Sequence, residues 1–368
     1  MEESFEKEVL YPPQDYIRVN HEDLKEFVKN VFVKLGVPDE DAEITADNLV
    51  TADLRGISSH GVARLRRYVD GLRNGVVKKD PEIKIVRESP VHALVDGDFG
   101  LGQPVAYKAM KIAIDKAKKN YFGIVGVKNS NHYGIAGYYA LMALKEDLIG
   151  VSMTNSRPLV AHTGALGRTI GTNPISFAAP SQEEPHFVLD MATAVVPIGK
   201  IEVYARRGKP IPEGWAIDER GEILTDPIKA LKAGTLLPLG GLGELLGGHK
   251  GYGLSVMVDI LSGILTGANW GPFVGPTQGP EPSNVGHFFM AINVEAFMSL
   301  DEFKERMEEL KKYLKTANLH PKFRRIWIHG EKSWLTMKYR KKHGIPLYVK
   351  VVNSLKEISE EVGVKAPF

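Results

Sequence analysis

The chain has 368 residues, contains no cysteine, and nearly balances 47 Lys and Arg residues against 45 Asp and Glu residues. This length predicts two or three packed units, while the lack of cysteine excludes disulfides and thiolate metal sites. The balanced charge excludes the basic surface that a nucleic-acid binder needs. No apolar run approaches about 20 residues, and the first residues are acidic and polar, so we expect a soluble cytoplasmic protein without a membrane span.

The first 75 residues predict an all-helical segment. Apolar residues recur at helical spacing over residues 21–35 and 39–54, and Gly36 and Gly56 follow as stop signals. A third helix is predicted over residues 62–72, with Ser59 as its candidate N-cap.

After residue 75 the pattern changes to short apolar runs separated by glycines, which predict strands. These runs are residues 83–86, 91–95, 122–127, 149–153, 187–189 and 287–292. Further helices are predicted over residues 104–118, 252–265, 300–314, 334–342 and 347–362. The stretch 252–265 is apolar on nearly every side, which predicts a buried helix. Glycine and proline predict a loop at 270–285 and a loop-rich subdomain at 197–246.

His60, Arg64 and Tyr68 are spaced four residues apart, so a helix through them would place all three on one face. On such a face Arg64 could grip a carboxylate in bidentate fashion while His60 exchanges a proton beside it. The alternative is an ordinary solvated face of arginines, Arg64, Arg66 and Arg67, behind a capping serine. The spacing by itself favours the solvated face.

Polar residues follow several predicted strands, and binding sites are often built at such positions. Asn131 and His132 follow the run 122–127, Ser156 follows 149–153, and Asp190 follows 187–189. His132 could exchange a proton there, and Asp190 could orient a histidine or bind a ribose hydroxyl. Polar turns of this composition are also common without any function, and Asp190 could simply cap a turn.

A glycine-rich stretch precedes Lys250 and Gly251 at the start of a predicted helix, which suits phosphate binding. The glycines are spaced G-x-G-x-x-x-G and no strand precedes them, so the Rossmann fingerprint is absent. The chain also lacks a G-x-x-x-x-G-K-[ST] loop and an H-E-x-x-H motif. Nothing in their spacing favours a metal held by His60, His132 and Asp190, so no metal is predicted.

Six blocks of sequence, taken in order, resemble those of the malate/L-lactate dehydrogenase family, which is distinct from the Rossmann dehydrogenases. The blocks are Ser59-His60-Gly61 with Arg64, Asn131-His132 with Gly134, Gly171-Thr172-Asn173-Pro174, Asp190-Met191-Ala192-Thr193, Lys250-Gly251-Tyr252-Gly253-Leu254 and His329-Gly330-Glu331. They cover nearly the whole chain. The family also includes L-sulfolactate and ureidoglycolate dehydrogenases, diketogulonate reductase and a cyclic imine reductase.

The resemblance implies an α/β (α+β) fold in which a mixed, largely antiparallel sheet, not a Rossmann sheet, binds the cofactor. Residues 1–75 with 300–368 would form a helical substrate and dimerisation domain, and residues 76–299 the NAD(P)-binding domain. The expected protein is a homodimer that uses NAD or NADP to interconvert a small L-2-hydroxy acid and its 2-oxo acid. The expected substrate is L-malate or L-lactate, with sulfolactate, ureidoglycolate or a cyclic imine as alternatives. A non-enzymatic carboxylate-binding protein is the alternative from another class.

The resemblance also implies roles for particular residues. Ser59, Arg64, Tyr68 and Asn131 would bind the substrate, and Asp190 would contact the cofactor or orient a histidine. His132 or His60 would be the acid/base, and we favour His132 because a turn at a strand end is a rigid mount. The expected cofactor contacts are Ser156, Thr172, Asn173, Asp190, Met191, Ala192, Thr193, Lys250, Gly251, His329, Gly330 and Glu331. Lys332 stands where the family often has arginine, which exchanges a planar guanidinium for a flexible ammonium near the cofactor.

Overall fold

The computed structural model describes residues 14–368. The strands are β1 (Tyr16–Val19), β2 (Lys84–Glu88), β3 (His92–Asp96), β4 (Phe122–Ser130), β5 (Ile149–Thr154), β6 (Ile175–Ala179), β7 (Phe187–Met191), β8 (Ala216–Ile217), β9 (Ile223–Leu224), β10 (Thr235–Leu236), β11 (Val285–Ile292) and β12 (Ile345–Tyr348). The helices are α1 (His21–Lys34), α2 (Asp39–Leu54), α3 (Leu65–Arg73), α4 (Gly102–Asn120), α5 (Ala136–Leu144), α6 (Ile198–Arg206), α7 (Pro227–Lys232), α8 (Gly248–Asp259), α9 (Leu300–Lys315), α10 (Glu331–His343) and α11 (Val349–Val362).

A seven-stranded sheet in the order β2-β3-β4-β11-β5-β6-β7 forms the centre of the fold. The β3–β4 pair is parallel, and the other five neighbouring pairs are antiparallel. The sheet is therefore mixed and largely antiparallel, which confirms the predicted fold class and its difference from a Rossmann sheet. Helices α4 and α5 pack closely on the sheet: a Cβ atom on Gly123 of β4 would lie 1.9 Å from the carbonyl oxygen of Ala113 in α4, and one on Gly150 of β5 would lie 2.5 Å from that of Ala140 in α5.

Helices α1, α2 and α3 share one hydrophobic core with α11 and the β1–β12 pair, so both ends of the described chain meet. Leu24, Leu49 and Leu65 are fully buried there beside Ile358 of α11. Helix α9 does not belong to this core. It lies beside the turn after β6, where its Lys311 Nζ donates to the Ser181 hydroxyl at 3.0 Å. The predicted domain boundaries stay a prediction.

The stretch predicted as loop-rich, 197–246, contains regular elements around a small core that it shares with Leu159, Val160, Ile170, Ala194 and Val196. Helices α6 and α7 flank a three-stranded sheet in the order β10-β8-β9, with Ile201, Ala216 and Leu236 buried between them. Each of these strands has two residues, which is too short for an alternating pattern to be recognised in the sequence.

The prediction of one helical face for His60, Arg64 and Tyr68 was wrong. Helix α3 begins only at Leu65, and Val62–Arg64 forms a 3₁₀ turn, so the three residues do not share an α-helical face. Ser59 does not cap the 3₁₀ turn as predicted. Instead Asp53, nine residues before Val62 in the sequence, accepts a hydrogen bond from the Val62 amide through Oδ2 at 2.7 Å.

The structure also differs from the predictions for one helix, one strand and one helix boundary. The stretch 252–265 is helical, as α8 and a π-helical turn at Ile260–Ile264, but it is not buried, because Ile260, Ile264 and Leu265 are 46%, 56% and 65% exposed. Strand β6 was missed. Residues 347–348 belong to β12 and not to the following helix.

Candidate active site

Two adjoining cavities lie between the helical layer, the sheet and the small α6–α7 unit. The smaller, of about 90 Å³, is lined by side chains that include His60, His132 and three arginines, and we call it the cationic cavity. The larger is an open groove of about 650 Å³ that runs past Asp190 and His329. His60 lines both, so its imidazole lies where the cavity opens into the groove.

His60 lies on the segment between α2 and the 3₁₀ turn, and it is partly buried. Its Nδ1 lies 2.9 Å from the Ser59 hydroxyl oxygen, and its ring stacks on that of His132 with centroids 5.7 Å apart. Burial lowers the pKa of His60 to about 3, and the positive charges of Arg64 and Arg67 add to this effect. His60 is therefore neutral at physiological pH.

His132 follows β4, and its hydrogen bonds fix its tautomer. The Gly134 amide donates to His132 Nδ1 at 3.3 Å, and the Tyr68 hydroxyl lies 2.7 Å from the same nitrogen. Because an amide N–H can only donate, Nδ1 is the acceptor and the proton of neutral His132 is on Nε2. Burial holds the pKa of His132 well below its usual value, and the charge of Arg67 adds to this effect.

Three guanidinium groups line the cationic cavity, but their surroundings differ. Arg64 is already engaged: its Nη atoms bind Glu202 at 3.1 and 2.9 Å, and its Nε donates to the Ser59 carbonyl at 2.7 Å. Arg67 and Arg157 are not paired with any carboxylate of residues 14–368. Burial, with the charge of Arg64, lowers the pKa of Arg67 to about 10, so the group is still cationic at neutral pH. The cavity is therefore suited to an anion with more than one acidic group.

Asp190 lies on β7 at the wall of the groove, where its Oδ2 accepts a hydrogen bond from the Gly137 amide at 2.9 Å. Desolvation of its carboxylate by the groove walls raises the pKa of Asp190 to about 6, while this hydrogen bond and the charge of Arg55 act in the opposite direction. The residue remains exposed to water in the open groove, so solvent screening weakens this effect. A carboxylate in this position can accept hydrogen bonds from ligand hydroxyls.

Two helices begin at the groove. Ile135 and Gly330 occupy the N-cap positions of α5 and α10, both line the groove, and neither has a polar side chain that could cap the first turn. At α5 the Gly137 amide already donates to the Asp190 carboxylate, and at α10 the Glu331 amide donates to the Ile328 carbonyl. The positive end of the α10 dipole, where Lys332 and Ser333 line the groove, favours an anionic group such as a phosphate.

If the groove holds the dinucleotide that the sequence resemblance implies, alanine at Gly137 should weaken its binding about tenfold or more. A Cβ atom there would lie 2.5 Å from Asp190 Oδ2, so the carboxylate would have to move into the groove. Titration of the nucleotide by fluorescence or calorimetry measures the effect. Gly253→Ala is the matched control, because Gly253 is also helical but a Cβ atom there meets nothing within 4 Å. Equal affinities in the two variants would contradict a cofactor site beside Asp190.

The structure brings many of the predicted site residues to the two cavities. Ser59 lines the groove, and His60 and Thr172 line both spaces. The other predicted residues at the cavities are Arg64, His132 and Ser156 in the cationic cavity and Asp190, Met191, Ala192, His329 and Gly330 in the groove.

Four predicted site residues instead support the walls from behind. Asn131 is buried, donates to the carbonyls of Phe99 and Gly100, and accepts from the Ser283 hydroxyl, so its amide is fully used within the fold. Asn173 bonds to the Ser156 amide and the Ser255 carbonyl, and the Thr193 hydroxyl donates to the Thr172 carbonyl. Tyr68 is buried and reaches the cavity only through His132.

Three other predicted cofactor residues lie outside both cavities. Lys250 is exposed on the first turn of α8, and Gly251 packs against the Leu239 backbone, where a Cβ atom would lie 2.2 Å from the carbonyl oxygen. Glu331 is buried between Lys315 and Arg325 and binds both cations. Its role in the described chain is therefore to anchor the start of α10.

Sequence reasoning missed several residues that line the cationic cavity. Arg67 was placed on a solvated face, whereas Arg66, its neighbour, is the residue that binds Glu361 at the surface. Arg157 follows Ser156 just after β5. The pattern that identified Ser156, a polar residue after a predicted strand, could therefore have identified Arg157 as well. Residues 197–199 and 275–278 also line the cavity, and no local pattern distinguishes them from ordinary loops.

Residues 14–368 contain no group of three or more His, Asp or Glu side chains arranged to hold a metal ion. Among the same residues, no helix combines the length and apolar character needed to span a membrane.

A non-Rossmann mixed sheet, with an imidazole-lined cationic cavity that opens into a long groove, has the architecture of a hydroxy-acid dehydrogenase of the non-Rossmann class. The sequence model of the malate/L-lactate dehydrogenase family matches residues 19–356, and the chain belongs to this family. The predicted resemblance is thereby confirmed, and the protein is a dehydrogenase that acts on CH–OH groups of hydroxy acids.

Relatives cover almost the whole chain. A malate dehydrogenase of Pyrococcus abyssi is 61% identical over 96% of this chain and 98% of its own length. A malate/(S)-sulfolactate dehydrogenase of Methanothermus fervidus is 41% identical over 94% of this chain and 98% of its own length. The structure of malate dehydrogenase from Pyrococcus horikoshii OT3 superposes with a TM-score of 0.91 at 57% identity, covering 98% of this chain and 99% of that one.

Proposed function

We propose that the protein is an NAD(P)-dependent dehydrogenase that interconverts L-malate and oxaloacetate. The observation that supports this substrate is the pair of arginines, Arg67 and Arg157, that line the cationic cavity without a carboxylate partner in residues 14–368. A 2-hydroxy acid with one carboxylate needs one cationic anchor, and a second acidic group needs another. The two carboxylates of L-malate can pair with both arginines, whereas the single carboxylate of L-lactate can pair with only one.

Sulfolactate is the second candidate substrate, because its sulfonate is also a second anionic group. The same two arginines support it, and the Methanothermus fervidus relative is named for both malate and sulfolactate. Ureidoglycolate and a cyclic imine carboxylate each bring a single acidic group, so the cavity charge favours them less.

The groove fits a nicotinamide dinucleotide, NAD or NADP. Its volume is in the range of ligand sites, Asp190 at the start of α5 is placed to accept hydrogen bonds from ribose hydroxyls, and the start of α10 would hold a phosphate. Lys332 lines the same groove and is the residue in which this chain differs from the family pattern. When bound, the nicotinamide accepts hydride during oxidation and returns it during reduction.

We assign the proton transfer to His60, although the sequence favoured His132. The Ser59 hydroxyl can accept the Nδ1 proton of His60, which leaves Nε2 free to act as a base, and His60 lies where the cavity meets the groove. His132 is held in the opposite tautomer, with its proton on Nε2. It is thus suited to donate a hydrogen bond and less suited to remove a proton.

In oxidation, the arginines would hold the carboxylates so that C2 faces the groove. His60 Nε2 would take the proton of the 2-hydroxyl as hydride leaves C2, and His132 Nε2–H would donate a hydrogen bond to the forming carbonyl oxygen. In reduction, His60 would return the proton to that oxygen. The walls of the cavity exclude bulk water from the reacting atoms.

Turnover of oxaloacetate with reduced cofactor tests the proposed function directly. The loss of absorbance of NADH and of NADPH is followed separately with oxaloacetate, pyruvate, sulfopyruvate and a cyclic imine carboxylate. We expect the highest kcat/KM with a dianionic 2-oxo acid. Lack of turnover with every 2-oxo acid and both cofactors would refute the proposal.

We further propose that two copies of the chain associate through the surface around the π-helical turn, and not through the segments 1–75 and 300–368 that the sequence predicted for dimerisation. Ile260, Ile264, Leu265, Trp270 and Phe273 are all at least 45% exposed there, and the sequence from 260 to 275 has no charged side chain. An uncharged apolar face is complementary to a second copy of itself across a two-fold axis. Light scattering should give twice the mass of the chain, and Leu265→Glu should reduce it to one copy. A wild-type monomer would contradict the dimer.

A further inference from the structure

Asp53 is a buried carboxylate on the last turn of α2 that the proposed mechanism does not use. Its Oδ2 accepts a hydrogen bond from the Val62 amide at 2.7 Å, nine residues further along the chain. The segment enclosed by this contact carries Ser59 and His60, and Arg64 follows it directly. The carboxylate therefore closes the loop that presents the imidazole to the cavity and the groove.

Gly61 is needed for this contact for a steric reason. A Cβ atom on Gly61 would lie 2.1 Å from Asp53 Oδ2 and 2.2 Å from its Cγ, so any larger residue would displace the carboxylate from the Val62 amide. The contact between Asp53 and Val62 therefore requires glycine at position 61, the third residue of the Ser59-His60-Gly61 block. The sequence alone does not reveal this requirement.

The surroundings keep the Asp53 carboxylate in place from other directions. Arg340 of α10 is buried and donates to the Asp53 carbonyl at 2.6 Å, which ties the end of α2 to α10. Burial raises the pKa of Asp53 to about 6, whereas the Val62 hydrogen bond, the charge of Arg340 and the Ser58 side chain lower it. At neutral pH the group is an ionised acceptor, and hydrogen bonds to charged acceptors are stronger than neutral ones.

We propose that Asp53 is a positioning residue for His60: by bonding to the Val62 amide across Gly61, its carboxylate fixes the loop that carries the proton-transferring imidazole. The kinetic consequence rests on the proposed role of His60, whereas the loop contact itself does not. Misplacement of a catalytic group by about 1 Å can lower turnover by about 10²-fold. Loss of the contact should therefore lower kcat more than it changes the affinity for cofactor.

The experiment breaks the same contact from both sides. Asp53→Ala removes the acceptor, Gly61→Ala pushes it away, and Asp53→Asn retains an oxygen that can accept from the Val62 amide. The control is Asp41→Ala, because Asp41 is also a buried carboxylate of α2 but binds Lys108, away from the loop. Each full-length variant is examined by hydrogen–deuterium exchange of peptides covering 55–64 and by steady-state kinetics with oxaloacetate and both reduced cofactors.

We expect Asp53→Ala and Gly61→Ala to increase exchange at the Val62 amide at least tenfold and to lower kcat about tenfold or more. Asp53→Asn should keep the exchange rate of the Val62 amide and kcat close to their wild-type values. Asp41→Ala should change neither the exchange rate nor kcat. Unchanged exchange in Asp53→Ala would overturn the loop contact. Faster exchange with an unchanged kcat would overturn the positioning role. A wild-type protein without turnover would refute the proposed function instead, and the exchange data would still decide whether Asp53 holds the loop.

Discussion

Replacing His60 with asparagine is expected to lower kcat for malate oxidation and oxaloacetate reduction by about 10²–10⁴-fold, the usual contribution of a positioned acid/base. Asparagine retains the size and polarity of the side chain but cannot exchange a proton at neutral pH. Because His60 contacts the groove only at its end, the dissociation constant of the cofactor should change little. Stopped-flow kinetics and nucleotide titration measure these two quantities.

His132→Asn is the comparison that tests the assignment. Since the Gly134 amide holds His132 in the tautomer with its proton on Nε2, loss of His132 should remove a hydrogen bond to the substrate oxygen and cost less than the loss of His60. If His132→Asn proved the more damaging of the two, the proton transfer would belong to His132, as the sequence favoured.

The wild-type pH profile provides a second measure of the same residue. Oxidation requires neutral His60, and a base with a lowered pKa stays neutral at pH values above that pKa. Because burial and the charges of Arg64 and Arg67 lower the pKa of His60 to about 3, kcat/KM for malate oxidation should not fall between pH 8 and about pH 5 through titration of this group. An acid limb near pH 6 would belong to Asp53 or Asp190, whose pKa values burial raises to about 6, so His60→Asn should lower the whole profile and leave that limb in place. Loss of the limb in His60→Asn would contradict the assignment.

The second large effect is expected for Arg157→Met, which removes a cation of the cationic cavity but retains an apolar side chain of similar length. We expect kcat/KM for oxaloacetate to fall about 10²-fold, because the second carboxylate would enter the cavity without its partner. For pyruvate, which lacks that carboxylate, the change should be about threefold at most. Initial rates with both substrates at several concentrations give the ratio.

Arg66→Met is the matched control for the change in substrate preference. Arg66 is an arginine of the same region that binds Glu361 at the surface and does not line the cavity. Its loss should leave the oxaloacetate to pyruvate ratio unchanged. Equal losses for the two substrates in Arg157→Met would show that the residue does not recognise a second acidic group.

Local sequence patterns were sufficient to predict much of the fold. Apolar spacing predicted α1, α2 and α9 closely, and short apolar runs predicted β4, β5, β7 and β11. The G-x-G-x-x-x-G spacing was enough to exclude a Rossmann site, but the expectation that no strand precedes these glycines was wrong, because the two-residue strand β10 does. These features could be predicted because helix and strand periodicity are properties of a few consecutive residues.

The sequence by itself also determined the family, since six short blocks in order are a signature that needs no contacts. It did not determine what each residue of those blocks does. Asn131, Asn173 and Thr193 belong to the blocks but use their polar atoms inside the walls, whereas Arg67 and Arg157 lie outside the blocks and line the cavity.

Only the tertiary structure decided how the site is assembled, because its contacts join distant parts of the chain. Arg64 and Glu202 are 138 residues apart, and Gly137 and Asp190 are 53 apart. His132 Nδ1 lies 2.7 Å from the hydroxyl of Tyr68, 64 residues earlier, and the burial that keeps both imidazoles neutral depends on several packed elements at once. Periodicity specifies which side of an element faces inward, but packing between elements specifies what each inward side chain meets.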